Sequence, residues 1–520
     1  MPPPHDAGHP HAVTPPTRRH PPPEADVPTS LAFRLGGLAL GPGLFLAVLL
    51  GADLGAPKRT ATAAVAVLMA TWWITEALPL AITALLPLVL FPALGVQPAK
   101  DVAPAYTNSI VFLFIGGFLV ALCMEKWNLH RRIALGILAR SGARPAGVLA
   151  GFMIATAFLS MWISNTATAM MMLPIGLAIL VKWEELRGGS PRRAFAIALM
   201  LGIPYAASIG GVATLVGTPP NMSLAGIHAQ SFPDAPRIEF ARWMLYATPL
   251  ALVFLVATWA FLAWRMRGAD EDRGAPPLDT SMVREELRRL GPMTRPEGLT
   301  LAVFVGVAIA WITRAPLQLP GVTLPGWSTL LPAPKMVDDG TVAIAAAVLL
   351  FLLPSGHKPG ERLLDGAILP KLPWGIVLLF GGGFALADGF QASGLSLWVG
   401  ENLKLFAGLP TWALIALVCL VITFLTEVTS NTASAQILLP LLAALAIELD
   451  IDPLLLMAPG AISCSCAFML PVATPPNAIA VGTDRLRMGD MVRAGVWLNL
   501  LGVALVTVST LTIGRWALGM

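Results

Sequence analysis

The stretch "SNTATAMMMLPI" at 164–175 returns almost unchanged as "SNTASAQILLPL" at 430–441. Each copy opens with three polar residues in apolar surroundings, where a Ser-Asn-Thr triplet is costly to bury without partners. A second pair follows the triplets, "GTPPN" at 217–221 and "ATPPN" at 473–477. A third pair consists of "FLFIGGFLVA" at 112–121 and "LLFGGGFALA" at 378–387. These echoes predict that the chain contains two copies of one unit.

The composition indicates a membrane protein. The chain has 520 residues, of which 56% are hydrophobic and only 12% are charged, whereas soluble domains are about 25% charged. Apolar runs near the length that crosses a bilayer recur throughout, which predicts an all-α polytopic fold with about 11 transmembrane helices plus two re-entrant hairpins. The four cysteines lie in apolar segments and are expected to be packing residues. The expected spans are 34–53, 60–78, 80–95, 108–125, 194–226, 243–264, 298–315, 339–353, 374–393, 453–483 and 494–515, and the expected hairpins are 146–181 and 411–447.

The distribution of basic residues predicts the topology. With a cytoplasmic N-terminus, and with each triplet segment entering and leaving on one side, 25 of the 34 Lys and Arg residues fall inside. Basic residues concentrate in cytoplasmic loops. If either triplet segment were one ordinary span, everything after it would change sides. We therefore expect inverted repeats, the first hairpin dipping in from the cytoplasm and the second from outside, with the C-terminus outside. Residues 1–30, rich in Pro and His, are expected to be a disordered cytoplasmic tail.

The repeated motifs offer oxygen atoms at membrane depth. Two adjacent prolines break a helix, and irregular backbone at that depth survives only where it is buried in protein or lines a cavity. A broken helix and a hairpin tip together supply the hydroxyl, amide and carbonyl oxygens that a small cation prefers. Ser160 precedes Ser164 by four residues, as Thr426 precedes Ser430, so each pair is expected to share one helix face. Each half would then hold one cation, with an anion between the halves.

With these motifs the chain resembles the divalent anion:sodium symporter family, which carries dicarboxylates, citrate or sulfate. The resemblance extends from about residue 34 to the end and includes "WWITEALPL" at 72–80. It implies a homodimer in the inner (plasma) membrane, in which a hairpin-bearing transport domain slides against a fixed scaffold. The implied divisions are scaffold 31–145 and 298–410, and transport 146–297 and 411–520. The implied first sodium site consists of Ser160, Ser164, Asn165 and the carbonyl of Gly217. The implied second sodium site consists of Thr426, Ser430, Asn431 and the carbonyl of Ala473. The implied substrate contacts are Asn165, Thr166, Thr218, Asn431, Thr432, Thr474 and Pro475.

Several functions remain to be weighed against each other. The four motif segments contain no Lys, Arg or His, so an anion would be held by dipoles, hydrogen bonds and bound sodium, which favours symport over sodium-independent or proton-coupled exchange. Two Thr-lined half-sites suit a small dianion with two ends, so C4-dicarboxylates such as succinate are expected ahead of sulfate and citrate. Sodium is the only expected metal, with about two or more ions, and neither an organic cofactor nor a nucleic-acid partner is expected.

Acidic residues and serines suggest two rival mechanisms. Glu76, Asp388 and Glu427 lie in or near spans, where a carboxylate is a functional candidate. A proton-coupled role for Glu427 competes with a structural role, and the matching residue of the first repeat is Met161. An intramembrane serine hydrolase would need a base beside Ser164 or Ser430. All seven histidines lie outside the expected spans and hairpins, in the tail or in expected loops, so an enzyme is not expected.

Overall fold

The computed structural model describes residues 31–186, 193–267, 281–319, 322–402 and 408–520. The tail expected at 1–30 lies outside these residues. In the described part of the chain, nine helices are long and apolar enough to cross a membrane, and five shorter apolar helices accompany them. The protein is therefore a helical multi-pass membrane protein, as the composition predicts. The number of spans and their inverted repeat stay predictions.

The first part of the chain differs from its prediction at one span. The run 80–95 forms two helices, because Pro87 has no N–H to donate to the carbonyl of Thr83 and the Tyr106 hydroxyl donates to the carbonyl of Ala84 at 2.5 Å. The helices of this part are α1 (Leu31–Gly51), α2 (Pro57–Thr75), α3 (Leu80–Thr83), α4 (Leu86–Ala93), α5 (Ala99–Val102), α6 (Ser109–Lys126) and α7 (Leu129–Leu138).

The next part contains the first triplet and the first Thr-Pro-Pro-Asn. The helix that ends at Val212 does not continue, and a new helix begins at Pro219. Proline is tolerated in a first helical turn because the N–H it lacks would have no partner there. The helices are α8 (Pro145–Ser160), α9 (Asn165–Leu186), α10 (Arg193–Val212), α11 (Pro219–Ser231), α12 (Phe240–Arg267) and α13 (Ser281–Arg289).

The middle of the chain adds a small sheet to the expected all-α fold. Two antiparallel strands, β1 (Leu317–Leu319) and β2 (Val322–Leu324), pair with Leu317 opposite Leu324. They lie between two spans and therefore do not alter the membrane-embedded architecture. The helices of this part are α14 (Arg295–Ile312), α15 (Asp339–Leu352), α16 (Trp374–Ser393) and α17 (Leu395–Asn402).

The last part contains the second copies of both motifs. Its interruption, residues 465–474, is longer than the first interruption at 213–218. The helices are α18 (Thr411–Thr426), α19 (Asn431–Glu448), α20 (Leu454–Cys464), α21 (Pro475–Val481), α22 (Met488–Ser509) and α23 (Arg515–Leu518).

The triplets lie at turns between helices, which corrects one expectation. Helix α8 ends at Ser160 and α18 ends at Thr426. Ser164 and Ser430 therefore do not share a helix face with Ser160 and Thr426. Each precedes the first residue of the next helix, and Ser430 has the extended backbone that is typical of an N-cap.

The buried core joins the two halves of the chain. Tyr205 of α10 is completely buried. Its hydroxyl donates to the carbonyl of Phe468 at 2.8 Å, and its ring packs edge-on against the Phe468 ring at 5.2 Å. The first broken helix thus contacts the interruption of the second.

Ion pairs between distant residues agree with the predicted sides of the membrane. Among the described residues, no ion pair joins a residue predicted inside to one predicted outside. This partition agrees with hairpins that return to the side from which they came. The long-range pairs predicted inside are Lys126–Asp365, Arg131–Glu286, Arg132–Glu297, Arg193–Asp490 and Arg485–Glu184, and those predicted outside are Arg237–Asp338, Arg314–Glu239 and Arg314–Asp339.

Candidate functional site

The first half-site begins with a contact across the α8–α9 turn. Ser160, the last residue of α8, donates its hydroxyl hydrogen to Oδ1 of Asn165, the first residue of α9. Ser160 is completely buried, and Asn165 is half-buried. The turn thus brings a hydroxyl and an amide oxygen together.

The carbonyl of Gly217 joins them beside Gly211. A Cβ built at Gly211 would lie 2.7 Å from Asn165 Oδ1 and 3.1 Å from the Gly217 carbonyl oxygen. Two predicted sodium ligands therefore converge on one glycine, where a side chain would occupy the space between them. Ser164, by contrast, is engaged with its own helix, because its hydroxyl accepts from the N–H of Ala167 at 3.4 Å.

Thr214 fixes the turn that presents this carbonyl. Its hydroxyl donates to the carbonyl of Met161 at 2.5 Å and accepts from the N–H of Gly217 at 3.1 Å. Thr214 therefore links the triplet turn to the interruption of the broken helix. The motif comparison missed it, because the residue that matches it in the second repeat is Leu470. Its only signal in the sequence is a hydroxyl just before "GTPPN".

The second half-site repeats the hydroxyl–amide contact. The Thr426 hydroxyl lies 2.7 Å from Asn431 Oδ1 and 3.0 Å from the carbonyl of Cys464, the last residue of α20. Thr426 is completely buried, as Ser160 is. Ala473 is buried at the end of the second interruption, next to Thr474.

Glu427 holds the longer second interruption in place. Its carboxylate accepts from three consecutive backbone N–H groups at 2.7–2.9 Å and from Nδ2 of Asn499 at 2.7 Å. These N–H groups would lack partners where α20 has already ended, and a buried N–H without a partner is costly. This arrangement fits the structural role for Glu427. The three N–H groups belong to Phe468, Met469 and Leu470.

The predicted substrate residues, like the predicted ion ligands, include both buried and half-buried residues. Thr218 and Thr474 are buried, whereas the others are half-buried and reach solvent. Thr474 accepts from the N–H of Asn477 at 3.4 Å and so begins α21. The half-buried group, which could contact a ligand arriving from water, consists of Asn165, Thr166, Asn431, Thr432 and Pro475.

The two halves of the chain contact each other through residues outside the triplets. Among the described residues, no hydrogen bond joins one triplet directly to the other. Instead, Gln436 donates to the Ser223 hydroxyl at 3.0 Å, and the hydroxyls of Thr218 and Ser465 lie 3.4 Å apart. Only Thr218 of these four was predicted as a site residue.

The chemistry of this donor set suits a hard cation beside an anion. Hydroxyl, amide and carbonyl oxygens are the ligand atoms that small hard cations select. Helices α9 and α19 begin at the triplets, and their N-terminal N–H groups and positive dipole ends favour negative charge. Helix α11 begins with two prolines, which have no N–H, so it contributes only its dipole. The arrangement therefore provides for both signs of charge without a basic side chain.

Comparison with known proteins identifies the family. The model of the sodium:sulfate symporter transmembrane region matches residues 44–520. The chain belongs to this symporter family. It is therefore a transport protein of the divalent anion:sodium symporter type and not an enzyme, as the motifs predicted.

Curated relatives agree with this assignment, and solved structures show a similar fold. A sodium-dependent dicarboxylate transporter, SdcS, of Staphylococcus saprophyticus is 43% identical over 91% of this chain and 90% of its own length. SdcS of Staphylococcus aureus is 41% identical over the same shares. The fold is similar to that of the YdaH transporter of Alcanivorax borkumensis, with a TM-score of 0.52 at 17% identity, covering 92% of this chain and 96% of that one. It is also similar to MtrF of Neisseria gonorrhoeae, with a TM-score of 0.52 at 14% identity, covering 79% and 83%.

Proposed function

We propose that this protein is a sodium-coupled symporter of C4-dicarboxylates such as succinate, working by elevator-type alternating access in the plasma membrane. The observation that carries the proposal is the hydroxyl–amide contact that occurs once in each half, Ser160 with Asn165 and Thr426 with Asn431. The relatives named for sodium-dependent dicarboxylate transport support both the ion and the substrate class.

Each half-site would hold one sodium ion. In the first, the ligands are the oxygens of Ser160, Ser164, Asn165 and Gly217, of which Asn165 and Gly217 already converge on Gly211. In the second, they are those of Thr426, Ser430, Asn431 and Ala473. A neutral oxygen cage of this kind leaves the positive charge of sodium uncompensated, so the ion attracts the substrate.

The dicarboxylate would lie between the two cages and depend on them. No Lys, Arg or His occurs in the motif segments, so a dianion has to be stabilised by bound sodium, helix N-termini and the threonine hydroxyls. Thr166, Thr218, Thr432 and Thr474 supply hydroxyl hydrogens for its two ends. Sodium and anion then raise each other's affinity, which is the coupling that symport needs.

The movement would be a slide of 146–297 and 411–520 over a scaffold of 31–145 and 298–410. Glycines at this boundary support the proposal. Gly226 of the transport part faces the Phe384 ring, Gly383 of the scaffold faces the Gln436 side chain, and a Cβ at Gly117 would lie 3.2 Å from Val216. At each of these contacts a side chain of one part lies directly against a glycine of the other, so the two parts meet where a larger side chain would block movement. As a homodimer, the protein would keep its scaffold fixed against the partner subunit.

Substrate competition tests the proposed anion. Purified protein in proteoliposomes would take up radiolabelled succinate under an inward sodium gradient, with unlabelled succinate, malate, fumarate, citrate or sulfate as competitors. The proposal expects the C4-dicarboxylates to compete and sulfate to have little effect. Because the matching family model is described by sulfate, sulfate is the second candidate. Sodium-driven uptake of radiolabelled sulfate, together with no uptake of radiolabelled succinate, would replace succinate with it.

A further inference from the structure

Two buried amide side chains occupy matching places in the two interruptions. Asn221 and Asn477, the last residues of the two Thr-Pro-Pro-Asn motifs, are both completely buried. Nδ2 of Asn221 donates to the carbonyls of Gly211, Val212 and Thr214 at 3.3, 3.1 and 2.8 Å. Neither asparagine is among the predicted sodium or substrate ligands.

Asn477 makes matching contacts, although the helix before it ends earlier than the helix before Asn221. Nδ2 of Asn477 donates to the carbonyls of Ala467 and Leu470, both at 3.1 Å. These carbonyls lie ten and seven residues before the amide, as those of Gly211 and Thr214 lie before Asn221. Helix α10 extends to Val212, whereas α20 ends at Cys464, four residues before Phe468, the residue that matches Val212. Asn477 therefore holds the same turn as Asn221 although no helix extends to that turn. The role of the amide is thus not limited to capping a helix end.

The turn that is held leads directly to the predicted cation ligand. Gly217 lies three residues after Thr214, and the Gly217 and Gly211 backbones are in close contact, since a Cβ at Gly217 would lie 3.0 Å from Cα of Gly211. The carbonyls that accept from Asn221 are directed at its amide nitrogen. The carbonyl of Gly217 accepts no bond from Asn221 and lies, like Oδ1 of Asn165, beside the position that a Cβ of Gly211 would occupy.

We infer that Asn221 and Asn477 are positioning residues for the two sodium sites, an inference that rests on the proposed function. Each amide nitrogen gathers backbone carbonyls in its interruption or at the helix end before it and turns them away from the ion, so that one carbonyl, that of Gly217 or Ala473, faces it. The amides thereby limit the number of oxygen ligands, which governs selection among cations of different size.

In the alternative explanation, the side-chain oxygens of the two asparagines bind the cation themselves. Oδ1 of Asn221 and of Asn477 are buried without a hydrogen-bond partner among the described residues. If these oxygens were themselves ligands, a negative charge in their place would strengthen cation binding. If the amide nitrogens position the carbonyls, the same change would weaken it, because a carboxylate cannot donate and repels the carbonyl oxygens.

Asparagine-to-aspartate substitution separates the two accounts. Sodium binding is measured in detergent without substrate, as the rise of the thermal unfolding midpoint when sodium chloride replaces choline chloride. The half-saturating sodium concentration should rise about tenfold or more in Asn221→Asp and in Asn477→Asp, and discrimination of sodium from lithium should fall. Unchanged or tighter sodium binding in either variant would overturn the inference.

Two further variants keep the test decisive. Asn221→Ser and Asn477→Ser remove the amide without adding a charge and should weaken sodium binding in the same direction, so the inference also fails if they bind sodium as the wild type does. The matched control is Asn402→Asp, at an exposed asparagine whose amide donates to one carbonyl of its own helix, and it should leave sodium binding unchanged. A wild type that does not respond to sodium would refute the proposed function, whereas a responsive wild type with unaltered variants would refute only the positioning role.

Discussion

The hydroxyl of Thr426 lies 2.7 Å from the amide oxygen of Asn431, across the turn that separates α18 from α19. Ser160 and Asn165 make the same contact across the turn between α8 and α9. In each pair the hydroxyl lies within hydrogen-bond distance of an oxygen that we propose as a sodium ligand, and the Thr426 hydroxyl also contacts the Cys464 carbonyl. Sodium would therefore displace this hydrogen bond, and both oxygens would then turn their lone pairs to the ion.

Removal of either asparagine should weaken sodium and succinate together. Asn165→Ala and Asn431→Ala each delete an oxygen proposed to serve both, at a cost of about 1–3 kcal/mol. This corresponds to a loss of apparent affinity of about tenfold to a hundredfold. Initial rates of succinate uptake against sodium and against succinate concentration measure both. Asn402→Ala is the surface control. If both site variants keep the sodium dependence of the wild type, the triplets serve only helix packing.

Glu427→Ala should destabilise the protein by about 3 kcal/mol or more, because it leaves buried N–H groups without an acceptor. Glu427→Gln keeps one acceptor oxygen and should lie between the wild type and the alanine variant. The thermal unfolding midpoint in detergent measures both. The control is Met161→Ala at the matching place of the first repeat, where the side chain is half-buried and the backbone makes the contact to Thr214. Equal stability of Glu427→Ala and the wild type would contradict the structural role.

Much of this architecture could be predicted from the sequence, because the effect of the repeated motifs on the backbone depends mainly on the residues within them. Adjacent prolines cannot continue a helix from the preceding turn, so the breaks before Pro219 and Pro475 followed from "TPPN" alone. The pairing of Ser160 with Thr426 as equivalent hydroxyls also followed from the alignment of the two triplets.

What could not be predicted depends on contacts between distant segments. The helices end at Ser160 and Thr426 because the turns that follow bond to the interruptions of other helices, through Met161 to Thr214 and through Glu427 to the N–H groups of residues 468–470. The helix break at 84–85 depends on Tyr106, a residue more than 20 positions away. No local pattern contains these partners.

Cysteine labelling tests the predicted sides of the membrane. Glu185 at the end of the first hairpin and Asp450 after the second are both exposed. Cysteine at 185 should react with a membrane-impermeant maleimide only from the cytoplasmic face, and cysteine at 450 only from outside, because basic residues accumulate inside. The substitutions are made in a background without the four native, buried cysteines. Reaction of both positions from the same face would show that one hairpin crosses the membrane completely.

The proposed slide predicts a specific effect at Gly383. A methyl group there would meet the Gln436 side chain, so Gly383→Ala should slow succinate transport while the protein still binds sodium. Gln436→Ala in the same protein removes the obstacle and should restore part of the rate. Gly375→Ala is the matched control on the same helix, since its methyl group would touch only Ala81 at 3.8 Å. If Gly383→Ala transports at the wild-type rate, this contact does not move in the cycle.

Concentrative uptake driven by sodium tests the central claim most directly. Proteoliposomes are loaded with a low, equal concentration of radiolabelled succinate inside and outside, and a sodium gradient is then imposed with choline as the balancing cation. Coupled symport predicts that succinate accumulates against its own gradient when sodium is higher outside, and that the flux reverses when sodium is higher inside. Net flux that is absent in both directions, or that proceeds equally with choline alone, would contradict sodium-coupled transport.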